Sequence, residues 1–148
     1  MGVKVLGHSR NPGPEWRHPN RPLNDLLAQS DVVSLHIPLT PETQAMFNAQ
    51  RFAAFKRGAI LVNTARGELV DEVALIHALE SGQLSLACLD VFAQEPLPAD
   101  HPLLTRDDVL ATPHMAWLTQ DMFQRALTVA IENTHRTQRG GPLLHQVQ

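Results

Sequence analysis

The sequence predicts an α/β fold, a doubly wound parallel sheet, on three observations. Short apolar runs recur along the chain, segments with helical spacing lie between them, and the runs are apolar almost throughout instead of alternating with polar residues. Continuous apolar character marks strands buried on both faces of a parallel sheet, and strand–helix alternation is how such a sheet is wound. At 148 residues the chain has the size of about one domain.

Five runs read as strands: VKVLGH (3–8), DVVSLHI (31–37), AILVNT (59–64), LACLDVF (86–92) and VLATPH (109–114). The first helix is expected over 23–30, where LNDLLAQS repeats leucine at positions 23, 26 and 27. The second is expected over 40–58, with Pro41 just inside a Thr40 cap and Gly58 at its end. The third, 71–82, carries Val73, Leu75, Ile76 and Leu79 before Gly82 stops it. The last, from about Thr119 to Gln138, shows one apolar stripe of Met122, Phe123, Ala126, Leu127, Ala130 and Ile131. SRNPGPEWRHPNRP (9–22), with four prolines, reads as a loop, and GGPLLHQVQ (140–148) as an irregular tail.

Composition narrows the function. A net charge of -3 gives no field to draw the chain to nucleic acid or anionic lipid, and no stretch is apolar enough to span a membrane. The opening MGVKVLGHSR does not read as a signal peptide, and one cysteine, Cys88, fits a reducing compartment, so a cytoplasmic protein is expected. Eight histidines are scattered without metal-ligand spacing, so no metal site is expected.

In open α/β sheets ligands bind beyond the carboxyl ends of the strands. Arg66, Glu95 and His114 follow three successive runs, so neighbouring strands would bring them to one rim. A guanidinium grips a carboxylate as a two-pronged donor, and an imidazole passes a proton to or from a substrate oxygen. A carboxylate beside that imidazole fixes its tautomer, and proton transfer of this kind is worth roughly 10²–10⁴-fold. Taken singly, Arg66 reads more readily as a surface charge and His114 as a loop histidine, Glu95 could be a loop acid, and spacing alone does not change that.

NTARGELVDEVAL, LDVFAQEPLPADHPLL and TPHMAW, with DVVSLHIPLTPET upstream, resemble the signature segments of the D-isomer-specific 2-hydroxyacid dehydrogenases, from about Val3 to Asn133. The resemblance implies a Rossmann-type NAD(P)-binding domain over 1–139 and a tail over 140–148. It also implies hydride transfer between NAD(P)H and a 2-keto or D-2-hydroxy acid. By motif match, Arg66 binds the substrate carboxylate and carbonyl, while Glu95 pairs with the acid–base His114. The same match puts Thr64, Ala65 and Asp90 near the nicotinamide and Pro38 near the adenosine half. Ser9, Arg10 and Trp117 resemble the glyoxylate/hydroxypyruvate reductases of the family, with 3-phosphoglycerate as the alternative substrate. A homodimer is expected by resemblance.

The family's first strand, glycine-rich phosphate loop and first helix have no counterpart in the sequence. The expectation is therefore an incomplete domain, its absent strand lying between the runs 3–8 and 59–64. Such a chain would bind cofactor weakly, turn over little and tend to pair, and a non-catalytic remnant or NAD(P)-sensing partner-binding module is the competing reading. For cofactor choice, an acid at the end of the second strand holds a free ribose hydroxyl, whereas an arginine accepts a 2′-phosphate. Ser9 and Arg10 stand there with no acid before Glu15, so NADP(H) is favoured, with NAD(H) the alternative. Dissociation constants for NADPH and NADH test this: NADPH is expected to bind tighter, and equal values or tighter NADH refute it.

Overall fold

A computed structural model describes residues 2–146. The chain forms two compact units, the first ending at His114 and the second beginning at Met115. The division falls inside the 1–139 stretch expected as one domain.

In the first unit a parallel sheet is built from β1 (Val32–Leu35), β2 (Ala59–Asn63), β3 (Leu84–Leu89) and β4 (Val109–Ala111), adjacent in sequence order. Helices α1 (Leu23–Gln29), α2 (Ala49–Ala53) and α3 (Glu72–Glu80) precede β1, β2 and β3, and one 3-10 turn, Pro102–Thr105, precedes β4. Their buried side chains, Leu26 and Leu27, Phe52, and Leu75 and Leu79, join one cluster with Val33, Leu35, Leu61, Ala87 and Leu89 of the sheet. Local chemistry sets the helix ends. The Asp71 carboxylate accepts from Ala74 N–H at 3.1 Å to start α3, and Gly82, at φ 68°, turns the chain after it.

The structure corrects several expectations. Strands 31–37, 86–92 and 109–114 are shorter or shifted, giving Val32–Leu35, Leu84–Leu89 and Val109–Ala111. They are not buried on both faces: β1 alternates exposed and buried, Val32 is 54% exposed and Leu110 58%. The reason is that the core residues of α1, α2 and α3 all gather on one face. The run 3–8 is no sheet strand. Its one ladder contact is the Gly7–Asn20 bridge, and Val3 is 72% exposed, so apolar β-branched residues without a neighbouring ladder did not make a strand. Nor does a gap precede 59–64, since β1 pairs directly with β2 from Val32–Ile60 to Leu35–Asn63.

The helix expected over 40–58 shrinks to Ala49–Ala53, started by Asn48, which accepts from Arg51 N–H at 3.1 Å, and not by Thr40. Upstream, the Thr43 hydroxyl donates to Pro38 O at 2.8 Å and accepts from Thr40 N–H at 2.7 Å. Ala45 N–H and Phe47 N–H then donate to Glu68 O and Leu69 O at 2.8 and 3.0 Å. These bonds take the backbone groups that helix continuation would need.

The second unit is α4 (Gln120–Gln138) and the residues around it. Thr119 caps it by accepting from Met122 N–H at 3.2 Å. Asn133 holds the following segment through both Leu144 N–H (2.7 Å) and Leu144 O (3.2 Å). The stripe of Met122, Phe123, Leu127 and Ile131 is present and about half exposed.

Leu61 is fully buried and Val3 is not, so their truncations separate sheet core from apolar run. Leu61→Ala is expected to cost about 2–5 kcal/mol in urea denaturation. Val3→Ala is expected to stay within about 0.5 kcal/mol.

Candidate active site

The parallel register aligns Leu35, Asn63, Leu89 and Ala111 as the last row of the sheet. The residues that follow, His36, Thr64, Asp90 and Thr112, therefore emerge along one edge. Three of the loops leaving that edge are tied to one another.

After β2, Asn63 is 1% exposed, and its side chain serves only the turn that follows. Its Oδ1 accepts from Ala65 N–H at 3.1 Å and its Nδ2 donates to Arg66 O at 2.9 Å. Gly67 comes next, where a Cβ would lie 1.9 Å from the carbonyl carbon of Phe92. Only glycine lets the turn after β2 rest on the backbone after β3. Arg66 is thereby carried beside the Glu95 loop, while its guanidinium is exposed and donates to Ala65 O at 2.6 Å.

After β3, Asp90 is buried and accepts from the Thr112 hydroxyl of the loop after β4. Glu95 spends one oxygen on Phe92 N–H (3.0 Å) and the other on Nδ1 of His114 (2.8 Å). His114 sits at φ 52°, in the left-handed region, its N–H donating to Thr112 O at 3.0 Å. A carboxylate only accepts, so Nδ1 carries the hydrogen and the exchangeable proton belongs to Nε2. The Glu95 and His114 side chains are 36% and 45% exposed, open to a ligand. A cleft of about 440 Å³ lies beside the pair, walled by Phe92, Pro96, Leu97, Leu104 and Pro113. The hydrogen bond from His114, then that from Phe92, hold the Glu95 carboxyl below the ordinary glutamate range, against partial desolvation and the Asp90 charge.

The remaining residues expected around a cofactor are spread along the sheet. Thr64, Ala65 and Asp90 sit at the carboxyl ends of β2 and β3, and exposed Pro38 follows β1. Ser9 and Arg10 lie off the sheet: Ser9 is pinned through its backbone N–H and C=O to the Asn20 amide, and Arg10 is exposed. Sequence reasoning missed Asn63 and Gly67 as shapers of the site. A polar Asn closing the apolar run AILVN was a visible signal; the tight seat of Gly67 was not.

A parallel sheet with its polar groups gathered at the carboxyl ends defines an α/β domain of the nucleotide-binding class. The chain belongs to the D-isomer specific 2-hydroxyacid dehydrogenase family, whose NAD binding domain it matches over residues 1–116. It is 37% identical over 146 residues to hydroxypyruvate reductase of Blautia hydrogenotrophica, covering 97% of the chain and 45% of that protein. It is 48% identical over 111 residues to glyoxylate reductase of Thermofilum pendens, covering 75% and 33%. Among solved structures, the Xanthobacter autotrophicus Py2 D-isomer specific 2-hydroxyacid dehydrogenase in complex with NADPH and MES superposes with a TM-score of 0.80 at 44% identity, covering 99% of the chain and 62% of that one. Lactobacillus jensenii D-lactate dehydrogenase with NAD+ gives 0.91 at 33% identity, covering 99% and 49%. The chain thus spans less than half the length of both curated relatives.

Asn63→Ala is expected to destabilise the protein by about 1–3 kcal/mol in chemical denaturation, since Ala65 N–H and Arg66 O lose their partner. The depressed Glu95 group stabilises the fold above its unfolded value, and that contribution is lost as pH falls through its lower folded value. Between about pH 6 and about pH 3, wild type is expected to lose more stability than Glu95→Gln; equal losses would contradict the pairing.

Proposed function

We propose that the chain carries the cofactor-binding and acid–base part of an oxidoreductase. It would transfer a hydride between NAD(P)H and a 2-keto acid, giving the D-2-hydroxy acid, with glyoxylate or hydroxypyruvate the favoured substrate. The observation that carries this reading is the 2.8 Å bond between Glu95 and Nδ1 of His114 at the carboxyl edge of the sheet. In reduction, Nε2 of His114 gives a proton to the carbonyl oxygen, and Glu95 holds the ring and its charge. The exposed Arg66 guanidinium takes the substrate carboxylate as a two-pronged donor. Together, hydride to carbon and proton to oxygen balance the reaction.

The residues present suit the cofactor. Thr64, Ala65 and Asp90 at the ends of β2 and β3 would face its nicotinamide, Pro38 its adenosine half, and Ser9 with Arg10 a 2′-phosphate, which favours NADP(H). When bound, the cofactor supplies or accepts the hydride. Support for NADP(H) comes from the Ser9–Arg10 pair together with similarity to the NADPH complex from Xanthobacter, while the Lactobacillus relative carries NAD+. We extend the reading to a cofactor domain over 1–139 with a tail over 140–148, in a cytoplasmic homodimer. The lone Cys88 and the family resemblance support it. Among the described residues no helix is long and apolar enough to cross a membrane.

Hydroxypyruvate reduction with NADPH, followed as loss of NADPH absorbance, tests the proposal. His114→Ala is expected to lower kcat by roughly 10²–10⁴-fold. Arg66→Ala is expected to raise KM for hydroxypyruvate more than it changes the Kd for NADPH. Turnover unchanged in His114→Ala would overturn the acid–base assignment. No NADPH binding and no turnover in wild type would favour a non-catalytic module.

A further inference from the structure

We propose that Glu72, the first residue of α3, acts with His101 as a positioning residue for the acid–base pair, by holding the Phe92–Ala93 peptide on which the site's loops converge. The inference rests on reading Glu95 and His114 as that pair.

Among the three carboxylate–imidazole pairs of the described residues in the first unit, Glu72 with His101 is the most sheltered, their side chains 22% and 20% exposed. Glu72 Oε1 accepts from Ala93 N–H at 3.1 Å, and Oε2 lies 3.4 Å from His101 Nε2. His101 Nδ1 accepts from Leu103 N–H at 3.3 Å, which starts the 3-10 turn before β4. With Nδ1 accepting, the proton of the neutral ring is on Nε2, the nitrogen that approaches Glu72. One carboxylate therefore bonds to the start of the 93–101 loop and lies against its end, and Glu95 falls between the two. As the first residue of α3, Glu72 also stands where a helix favours a negative charge.

The peptide it holds and the one before it form a junction. Phe92 N–H donates to Glu95 Oε1 at 3.0 Å, Ala93 N–H donates to Glu72, and Gly67, directly after Arg66, rests against the Phe92 carbonyl. If that peptide shifts, the adjoining Phe92 N–H, one peptide earlier, is carried with it, so Glu95 loses the aim of a donor and its own aim at His114, and the Arg66 turn loses its seat. None of this requires Glu72 to touch a substrate.

The test is a ¹³C NMR titration of the Glu95 carboxyl in the full 148-residue chain, with melting temperature measured alongside. In wild type the group is expected to titrate below the ordinary glutamate value of about 4.3. Glu72→Gln keeps an acceptor for Ala93 N–H and is expected to leave that titration in place. Glu72→Ala is expected to move it up toward the ordinary value. Glu72→Asp, one methylene too short but still an acid in the first turn of α3, is expected to do the same, and it carries the test if the alanine variant does not fold. A purely structural role would lower the melting temperature and leave the Glu95 titration where wild type has it, which would overturn the proposal. A shift in Glu72→Gln as large as in Glu72→Ala would overturn its hydrogen-bond basis. The measurement needs no turnover. A wild-type chain that neither binds NADPH nor reduces hydroxypyruvate, yet shows Glu95 coupled to Glu72, would favour the non-catalytic module and leave the positioning role standing.

Discussion

Parallel pairing of four short strands in sequence order is the constraint from which the site follows. Parallel strands need a return connection each time, so every strand ends on the same edge. The row Leu35, Asn63, Leu89 and Ala111 makes this concrete: whatever follows those residues is delivered to one rim. Residues 95 and 114 would have no reason to meet, nor the turn at 66–67 to rest on Phe92, in an antiparallel arrangement of the same runs. The chemistry is thus a consequence of topology first and of side-chain identity second.

Alignment alone would leave three loops free of one another. Buried or close-packed groups, spending their bonding capacity on backbone, tie them together. Asn63 shapes the turn after β2, Gly67 lets that turn lie on the backbone after β3, and Asp90 accepts from Thr112 after β4. Glu95 does both jobs, one oxygen on its own loop and the other on His114. Because these two side chains remain open to solvent, their pairing energy is modest, and its value lies in orientation and in the protonation states it selects.

The sheet is asymmetric. Helices α1, α2 and α3 bury one face, while the other carries half-exposed Ile60, Val62 and Leu86 beside exposed Val32 and Leu110. The half-exposed stripe of α4 is a second apolar surface. Both belong to a chain spanning less than half the length of the hydroxypyruvate and glyoxylate reductases it resembles.

Much of this was legible in the residues. The α/β class, the sites of β1 to β4, and helices α1, α3 and α4 follow from apolar periodicity and capping residues, which act within a few positions along the chain. The Glu95–His114 pair was legible through the resemblance of the segments around Glu95 and His114 to the signature segments of the family. Failures came where distant parts of the chain competed with local preference. The run 3–8 has strand composition but no sheet neighbour, and 40–48 has helical spacing but gives its N–H groups to Glu68 and Leu69. The sequence by itself determined which segments could be strands or helices and which polar residues would end them, since those are local energies. Only the tertiary structure decided that β1 lies directly beside β2, that one face of the sheet stays half open, and that Gly67 and Glu72 fasten the loops of the site. Those outcomes depend on hydrogen-bond partners and close approaches between residues far apart in the chain, which no local pattern encodes.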